Sequence, residues 1–563
     1  MKIYKTFKDI CASALASASE KSAAAALFVF VLLLWGANYA LRGYWEPDEA
    51  RFVYVAREML ASESWLIPLR NGEFYAHKPP LMLWLIMLGE RVFPEPFGSR
   101  LPNLIGAFLA LWATAKIAAL WLGRAAAPRA VVVLGTAWLF WGTAGIGQID
   151  TLLLGLEMSA LWILLRNDND TPRRFPLPAF ILLGFAVLAK GPVGLLVPLG
   201  IYAALRSCAR RDPRVGAGRL ALGALLAAAI PLAWVAACVL DGAPREYIRE
   251  LIIDQNISRA AGALGHEQPP WYFLLNLPAA FLPWTLLLPA AWKALGRDNP
   301  LLLRKLARWT LFVLVFFSLS ASKRGVYILA ALPPMAIAIA AAWDALAKKR
   351  RTLNAAAALL ALAALAAGIA ALVFGGVVPI ESLASPRRLA MAQRAAQEIT
   401  AAPFALLFCA LASGFIAMLR TRGAARLRAF AAALLASFAL AGAVVAPSFN
   451  AVKEPLAIRP LAEKHIPDAA GRLLLYNING ETLALHAQRR GLRCDGDEAL
   501  LAAMETQKTG LAIFLSQNTN SLLDRFPPIT ETGDFHMGAK HYIWAAFDAV
   551  GKAPAAAPIA PAP

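Results

Sequence analysis

Two short motifs hold residues able to do chemistry. Trp45 to Phe52 reads WEPDEARF, which sets two adjacent carboxylates, Asp48 and Glu49, beside Arg51. Phe74 to Leu81 reads FYAHKPPL, which places His77 and Lys78 before a stiff Pro-Pro turn. Neighbouring side chains on a helix point about 100° apart, so Asp48 and Glu49 cannot jointly grip one proton. One is expected to face a reacting centre and the other to pair with Arg51 or Arg57; a solvated interfacial helix is the plainer alternative.

Lys78 suits a lipid phosphate, although lysines at a bilayer rim also snorkel to headgroups without further role. Lys190 in Lys190-Gly191-Pro192, Arg259, and Lys323, Arg324 and Tyr327 in Lys323-Arg324-Gly325-Val326-Tyr327 add cations and a phenol. Together they suit a phosphate or pyrophosphate group; singly, each lysine or arginine also reads as a snorkelling cation. Asp150 follows Gly147-Gln148-Ile149 at the end of an apolar segment, where an ionised group is costly unless partnered. It equally suits a helix N-cap. His77 and His266 offer imidazoles that favour a zinc-like divalent ion, and a carboxylate such as Glu267 or Asp48, or a water, would have to complete that site.

These residues need a membrane to position them. Ala23 to Leu41 is long enough to cross a bilayer, and 59% of the 563 residues are hydrophobic, above the usual share for a soluble globule. The formal net charge of +19 sits in short loops between apolar segments, which points to topology rather than to nucleic acid. Five cysteines without a CxxC pair exclude a disulfide framework or metal knuckle as the organising feature. The amphipathic start predicts no cleaved signal peptide.

Pro178–Leu205 decides the topology. At 1.5 Å per residue it measures roughly 42 Å, long for one upright span and short for two, and Lys190-Gly191-Pro192 interrupts it. The loops Arg206–Arg219, Lys293–Arg308, Lys348–Arg351 and Arg420–Arg428 are rich in Lys and Arg. The positive-inside rule places them in the cytoplasm only if this block is a bent hairpin, which predicts about thirteen spans and a cytoplasmic N-terminus. The acidic loop Arg42–Phe97, Asp150, the Lys190 bend and everything after Val445 then face outward. Arg472–Tyr476 and Gly510–Leu515 read as buried strands, with Glu481–Arg490 and Glu498–Thr506 as helices. The plan is an all-α polytopic membrane domain over 1–446, a small α/β domain over 447–552, and a disordered Ala/Pro-rich tail over 553–563.

WEPDEARF, HKPPL, GQID, AKGPVGLLVPL, HEQPPWYF and SKRGVYILAALPP, in that order, resemble the aminoarabinose (4-amino-4-deoxy-L-arabinose) lipid A transferase family, related to the protein O-mannosyltransferases. The resemblance implies a GT-C glycosyltransferase fold in the bacterial inner membrane, with active site and C-terminal domain periplasmic. It implies an inverting enzyme that takes a sugar from undecaprenyl phosphate and passes it to lipid A or another envelope acceptor. Asp48 and Asp150 match the family's acidic positions, and Lys78 matches the lysine expected to meet the carrier phosphate, with Arg259 and Tyr327 as further candidates. His77 departs from the pattern, since relatives frequently carry Glu there. Two rival readings are a lipid-linked-sugar flippase or transporter and a transferase of another sugar to a protein or glycan hydroxyl. Charged motifs gathered in outer loops, rather than inside spans, speak against a transporter.

Overall fold

The computed structural model describes residues 20–170, 174–208, 215–258, 267–379, 389–468, 470–518 and 529–548; the tail expected to be disordered lies outside them. The chain folds as two compact units that interleave along the sequence. One comprises Met1–Leu41, Ala76–Ala371 and Ala402–Ala446, the other Arg42–Tyr75, Leu372–Ala401 and Pro447–Pro563. The sequence boundary at 446 cuts the chain once, whereas the structure also groups Arg42–Tyr75 with the C-terminal stretch.

The first unit is a helical bundle. Among the described residues six helices are long and apolar enough to cross a membrane, or eight if each of two bent pairs is one span. The thirteen spans expected from sequence are not reached by that measure, because several apolar helices are short, among them Leu177–Lys190, Val193–Arg206 and Gly325–Ala341. The first two, 14 residues each, are the halves of the interrupted block. Gly191 turns between them at φ +93°, a backbone conformation glycine adopts without steric cost. A β-carbon on Gly194 would lie 2.4 Å from the Ala186 carbonyl carbon, so the halves fold back into backbone contact. A second close crossing joins Leu101–Leu122 to Ile149–Asp170, where a β-carbon on Gly155 would lie 2.6 Å from the Gly106 carbonyl oxygen. Small residues of this kind let helices approach where lipid supplies no hydrophobic drive.

The second unit is built on a mixed five-stranded sheet of β3 (Leu473–Tyr476), β4 (Gly491–Cys494), β5 (Thr509–Leu515), β6 (Ile529–Met537) and β7 (Lys540–Asp548), ordered β4-β3-β5-β7-β6. β3 runs parallel to β4 and β5, while β7 is antiparallel to β5 and β6. β3 is buried throughout, as expected of a parallel strand covered on both faces, and so reads as an unbroken apolar run. Leu473, Leu475, Leu511 and Ile513 pack on one side with Val53 and Tyr54; Leu474, Ala512 and Phe514 pack on the other with Leu500 and Met504. The helix Asp48–Ala61 therefore covers one face of the sheet. It is pinned there by the Gly491 N–H, which donates to the Tyr54 hydroxyl at 2.8 Å. Glu58 accepts from the Asn71 and Gly72 N–H groups at 2.6 and 2.7 Å and so holds the turn between β1 (Leu69–Arg70) and β2 (Glu73–Phe74).

His486 lies near the end of the helix Glu481–Ala487 with its side chain 15% exposed. Burial first, and Arg57 second, push its pKa down to about 4 against a hydrogen bond to the Tyr44 backbone that works the other way. The folded unit thus prefers the neutral imidazole. Below the ordinary value of 6.5 the unfolded chain takes up a proton that the folded chain refuses, so stability present above pH 6.5 is lost as pH falls toward 4. The loss is at most about 3 kcal/mol, reduced by Glu454, whose carboxylate lies 3.8 Å from the ring. Thermal melting is expected to fall more between pH 7 and pH 5 in the wild type than in His486→Gln. Parallel pH profiles would remove His486 as the cause.

Candidate active site

The helical unit encloses a cavity of about 420 Å³ lined by Lys78, Asp150, Glu157, Lys190 and Tyr327, with Phe316 among its apolar walls. Three local features bring these side chains together. Asp150 sits in the first turn of Ile149–Asp170, one residue inside the helix rather than capping it, where the positive end of the helix dipole favours a carboxylate. The chain entering that helix is held by the buried Asn103 amide, which donates to the Ile146 and Gln148 carbonyls at 2.8 and 3.1 Å. Lys190 ends Leu177–Lys190, where the negative end of the dipole favours a cation.

The two helix ends meet. Lys190 Nζ lies 2.5 Å from Asp150 Oδ1, with the side chains 13% and 11% exposed, and the same ammonium stands over the Tyr327 ring at 4.7 Å from its centroid. Lys190 is thereby held between a carboxylate and an aromatic face. Lys78 opens onto the same space from the segment before the helix Leu81–Val92. A cavity lined both by ammonium groups and by Leu, Val and Phe side chains is chemically matched to an amphiphile with an anionic head.

Glu157 escaped the sequence reading. It lies 4% exposed, two helical turns from Asp150 on the same face, and lines the cavity. The signal was available: an acidic residue inside the apolar run Thr151 to Trp162 is costly unless it serves a cavity or partner.

The other expected residues are placed as follows. Lys323 is buried, and its ammonium donates to the Gln268 and Ala321 carbonyls at 2.9 and 3.4 Å, so it ties two loops together. Arg324 precedes the turn Gly325–Ala331 and is not a lining residue of the cavity. His77 Nε2 lies 3.5 Å from Glu250 Oε1, both side chains about 40% exposed. His266 and Arg259 lie outside the described residues.

Asp48 and Glu49 belong to the second unit and point to different partners, as their adjacency requires. Asp48 pairs with Arg51. Glu49 receives both terminal nitrogens of Arg42 at 2.7 and 2.8 Å and the Trp45 N–H at 3.2 Å, with both charged side chains 1% exposed. One carboxylate, Asp48, thus takes one of the two arginines expected from the sequence, while Glu49 takes Arg42, which was not among them.

Residues 77–235 match the family described as dolichyl-phosphate-mannose-protein mannosyltransferase. An undecaprenyl phosphate-α-4-amino-4-deoxy-L-arabinose arabinosyl transferase from Pseudomonas fluorescens is 31% identical over 334 residues, covering 57% of this chain and 58% of the relative. The chain thus spans less than two thirds of that relative's length. The crystal structure of ArnT from Cupriavidus metallidurans in the apo state superposes with a TM-score of 0.72 at 20% identity, over 94% of this chain and 99% of that one. The same protein bound to undecaprenyl phosphate gives 0.71 at 20% identity, over 94% and 98%. The chain is thus similar to the aminoarabinose transferases by sequence over part of its length and shares the fold of ArnT over almost all of it, with a small sheet domain toward its C-terminus.

Proposed function

We propose that the chain is an inverting glycosyltransferase of the bacterial inner membrane, taking aminoarabinose from undecaprenyl phosphate and passing it to lipid A at the periplasmic face. The observation that carries this reading is the cavity in which Lys78 and the Asp150–Lys190 pair stand against apolar walls. The walls suit a polyprenyl chain and the ammonium groups suit its phosphate. An acceptor oxygen attacks the anomeric carbon, the bond from that carbon to the phosphate oxygen breaks, and its electron pair stays on the carrier phosphate. Lys78 and Lys190 stabilise the charge that grows there, in a space where water is partly excluded. A lipid A phosphate is already an anionic nucleophile and needs no base. A hydroxyl acceptor does, and Asp48, from its place in the WEPDEARF motif, is the base we assign for that case. With a phosphate acceptor, Asp48 positions the sugar or a cation instead.

A second reading, transfer of another sugar to a protein or glycan hydroxyl, is favoured by the match of residues 77–235 to the mannosyltransferase description. Mass spectrometry of lipid A and of envelope glycans, with and without the chain expressed, separates the two. Lipid A heavier by one aminoarabinose is expected. Unchanged lipid A beside a glycosylated protein would replace the first reading with the second.

The zinc-like ion proposed for His77 and His266 has Glu250 as the carboxylate near His77. Metal content of the wild type and of the His77→Ala, His266→Ala variant tests it, and equal content sinks the site.

A further inference from the structure

The β6–β7 hairpin carries chemistry that the transfer reaction does not use. β6 is one of the two edge strands of the five-stranded sheet, and it reads Ile-Thr-Glu-Thr-Gly-Asp534-Phe-His536-Met before a two-residue turn at Gly538-Ala539 and the start of β7 at Lys540-His541. Strand alternation sends Asp534 and His536 to one face while Phe535 and Met537, buried, go to the other. The antiparallel register then sets His541 directly opposite His536. Residues directly opposite share a face, so three side chains with metal-ligating atoms converge on the more exposed side of the hairpin.

The convergence is close. One ligand atom from each of Asp534, His536 and His541 lies within 4.8 Å of the others. The two imidazole rings are stacked with centroids 4.2 Å apart and planes 14° from parallel, and His541 Nε2 lies 2.8 Å from Asp534 Oδ2. A plain cross-strand ion pair would need only Asp534 and His541. It leaves no role for a second imidazole laid against the first, where two protonated rings would repel each other.

We propose that Asp534, His536 and His541 form a binding site for a divalent transition-metal ion of the zinc class. Two imidazoles and one carboxylate are a donor set suited to zinc, with a water in the fourth position. Ligands sit about 2 Å from such an ion, so small rotamer adjustments close the three atoms onto it. Asp534 supplies negative charge against Arg394, the nearby cation. A bound ion would clamp the edge strand β6 to β7 and stabilise the sheet at the margin where pairing is one-sided.

The test uses the full chain in detergent, carrying no histidine tag and stripped with a chelator, with zinc as the probe. His77→Ala serves as the common background, so that a separate ion there is not counted. The expected result is one zinc bound per chain with Asp534, His536 and His541 intact, and an affinity weakened by more than roughly 100-fold in the His536→Ala, His541→Ala variant. Zinc should raise the melting temperature of the former and leave the latter unmoved. The milder His536→Asn and Asp534→Asn replacements, which keep a polar face on the hairpin, carry the same direction of change. Equal zinc stoichiometry and affinity with and without the three side chains would overturn the site.

Discussion

Alanine in place of Lys78 is expected to lower sugar transfer by roughly 10²–10³-fold, the usual cost of removing one preorganised charge-stabilising donor from a leaving-group site. Lys78 lines the cavity beside the Asp150–Lys190 pair. Pro79 and Pro80 follow it directly and lead into the first turn of Leu81–Val92, which limits the chain freedom of the segment that carries the ammonium. Arginine should keep part of the activity, because the charge remains while the flat fork replaces a compact point charge. Donor turnover in membranes at matched protein level is the measurement. Wild-type turnover in Lys78→Ala would mean that the lysine only snorkels to headgroups. Asp150→Asn should also be severe, but for another reason: it strands the Lys190 ammonium, 13% exposed, without its counter-charge.

The second large effect is on stability. Arg42 and Glu49 are each 1% exposed, joined by two hydrogen bonds of 2.7 and 2.8 Å, and Arg42 also stacks over the Trp45 ring at 4.7 Å. Removing one partner of such a pair leaves the other charge buried and uncompensated, which costs about 3–5 kcal/mol. Glu49→Ala is therefore expected to lower the melting temperature by roughly 10 °C and to reduce the amount of folded protein recovered. Asp48→Asn makes the contrast. Its partner Arg51 keeps a side chain 24% exposed, so water can take over the freed charge and melting should change little while transfer is lost. A Glu49→Ala protein that melts with the wild type would refute the structural role assigned to the Arg42 fork. An active Asp48→Asn enzyme on a hydroxyl acceptor would exclude a general base there.

Much of this molecule was legible in its chain because the signals are local. Apolar length marks a helix that can cross a bilayer, and Lys190-Gly191-Pro192 marks a break, since glycine permits φ +93° at position 191 and proline lacks the N–H that would continue the helix. The unbroken apolar runs of β3 and β5 identify strands by composition alone. β4 has four residues and β6 carries Thr, Glu and Asp along an edge, so neither has the periodic apolar content that a window can detect.

Partner choice was the part that only the tertiary structure decided. Asp150 and Lys190 are forty residues apart, and nothing in their own neighbourhoods says that two helix ends meet. Glu49 had Arg51 and Arg57 close in sequence, yet the buried fork formed with Arg42, because a charge removed from water takes the partner whose geometry satisfies both its oxygens. Asp534, His536 and His541 share a face only because β6 and β7 pair in one register; a slip of one residue would send His541 to the opposite side of the sheet. Residue type and spacing determine which groups are available for chemistry. Packing, which acts between segments distant in the chain, determines which of them meet.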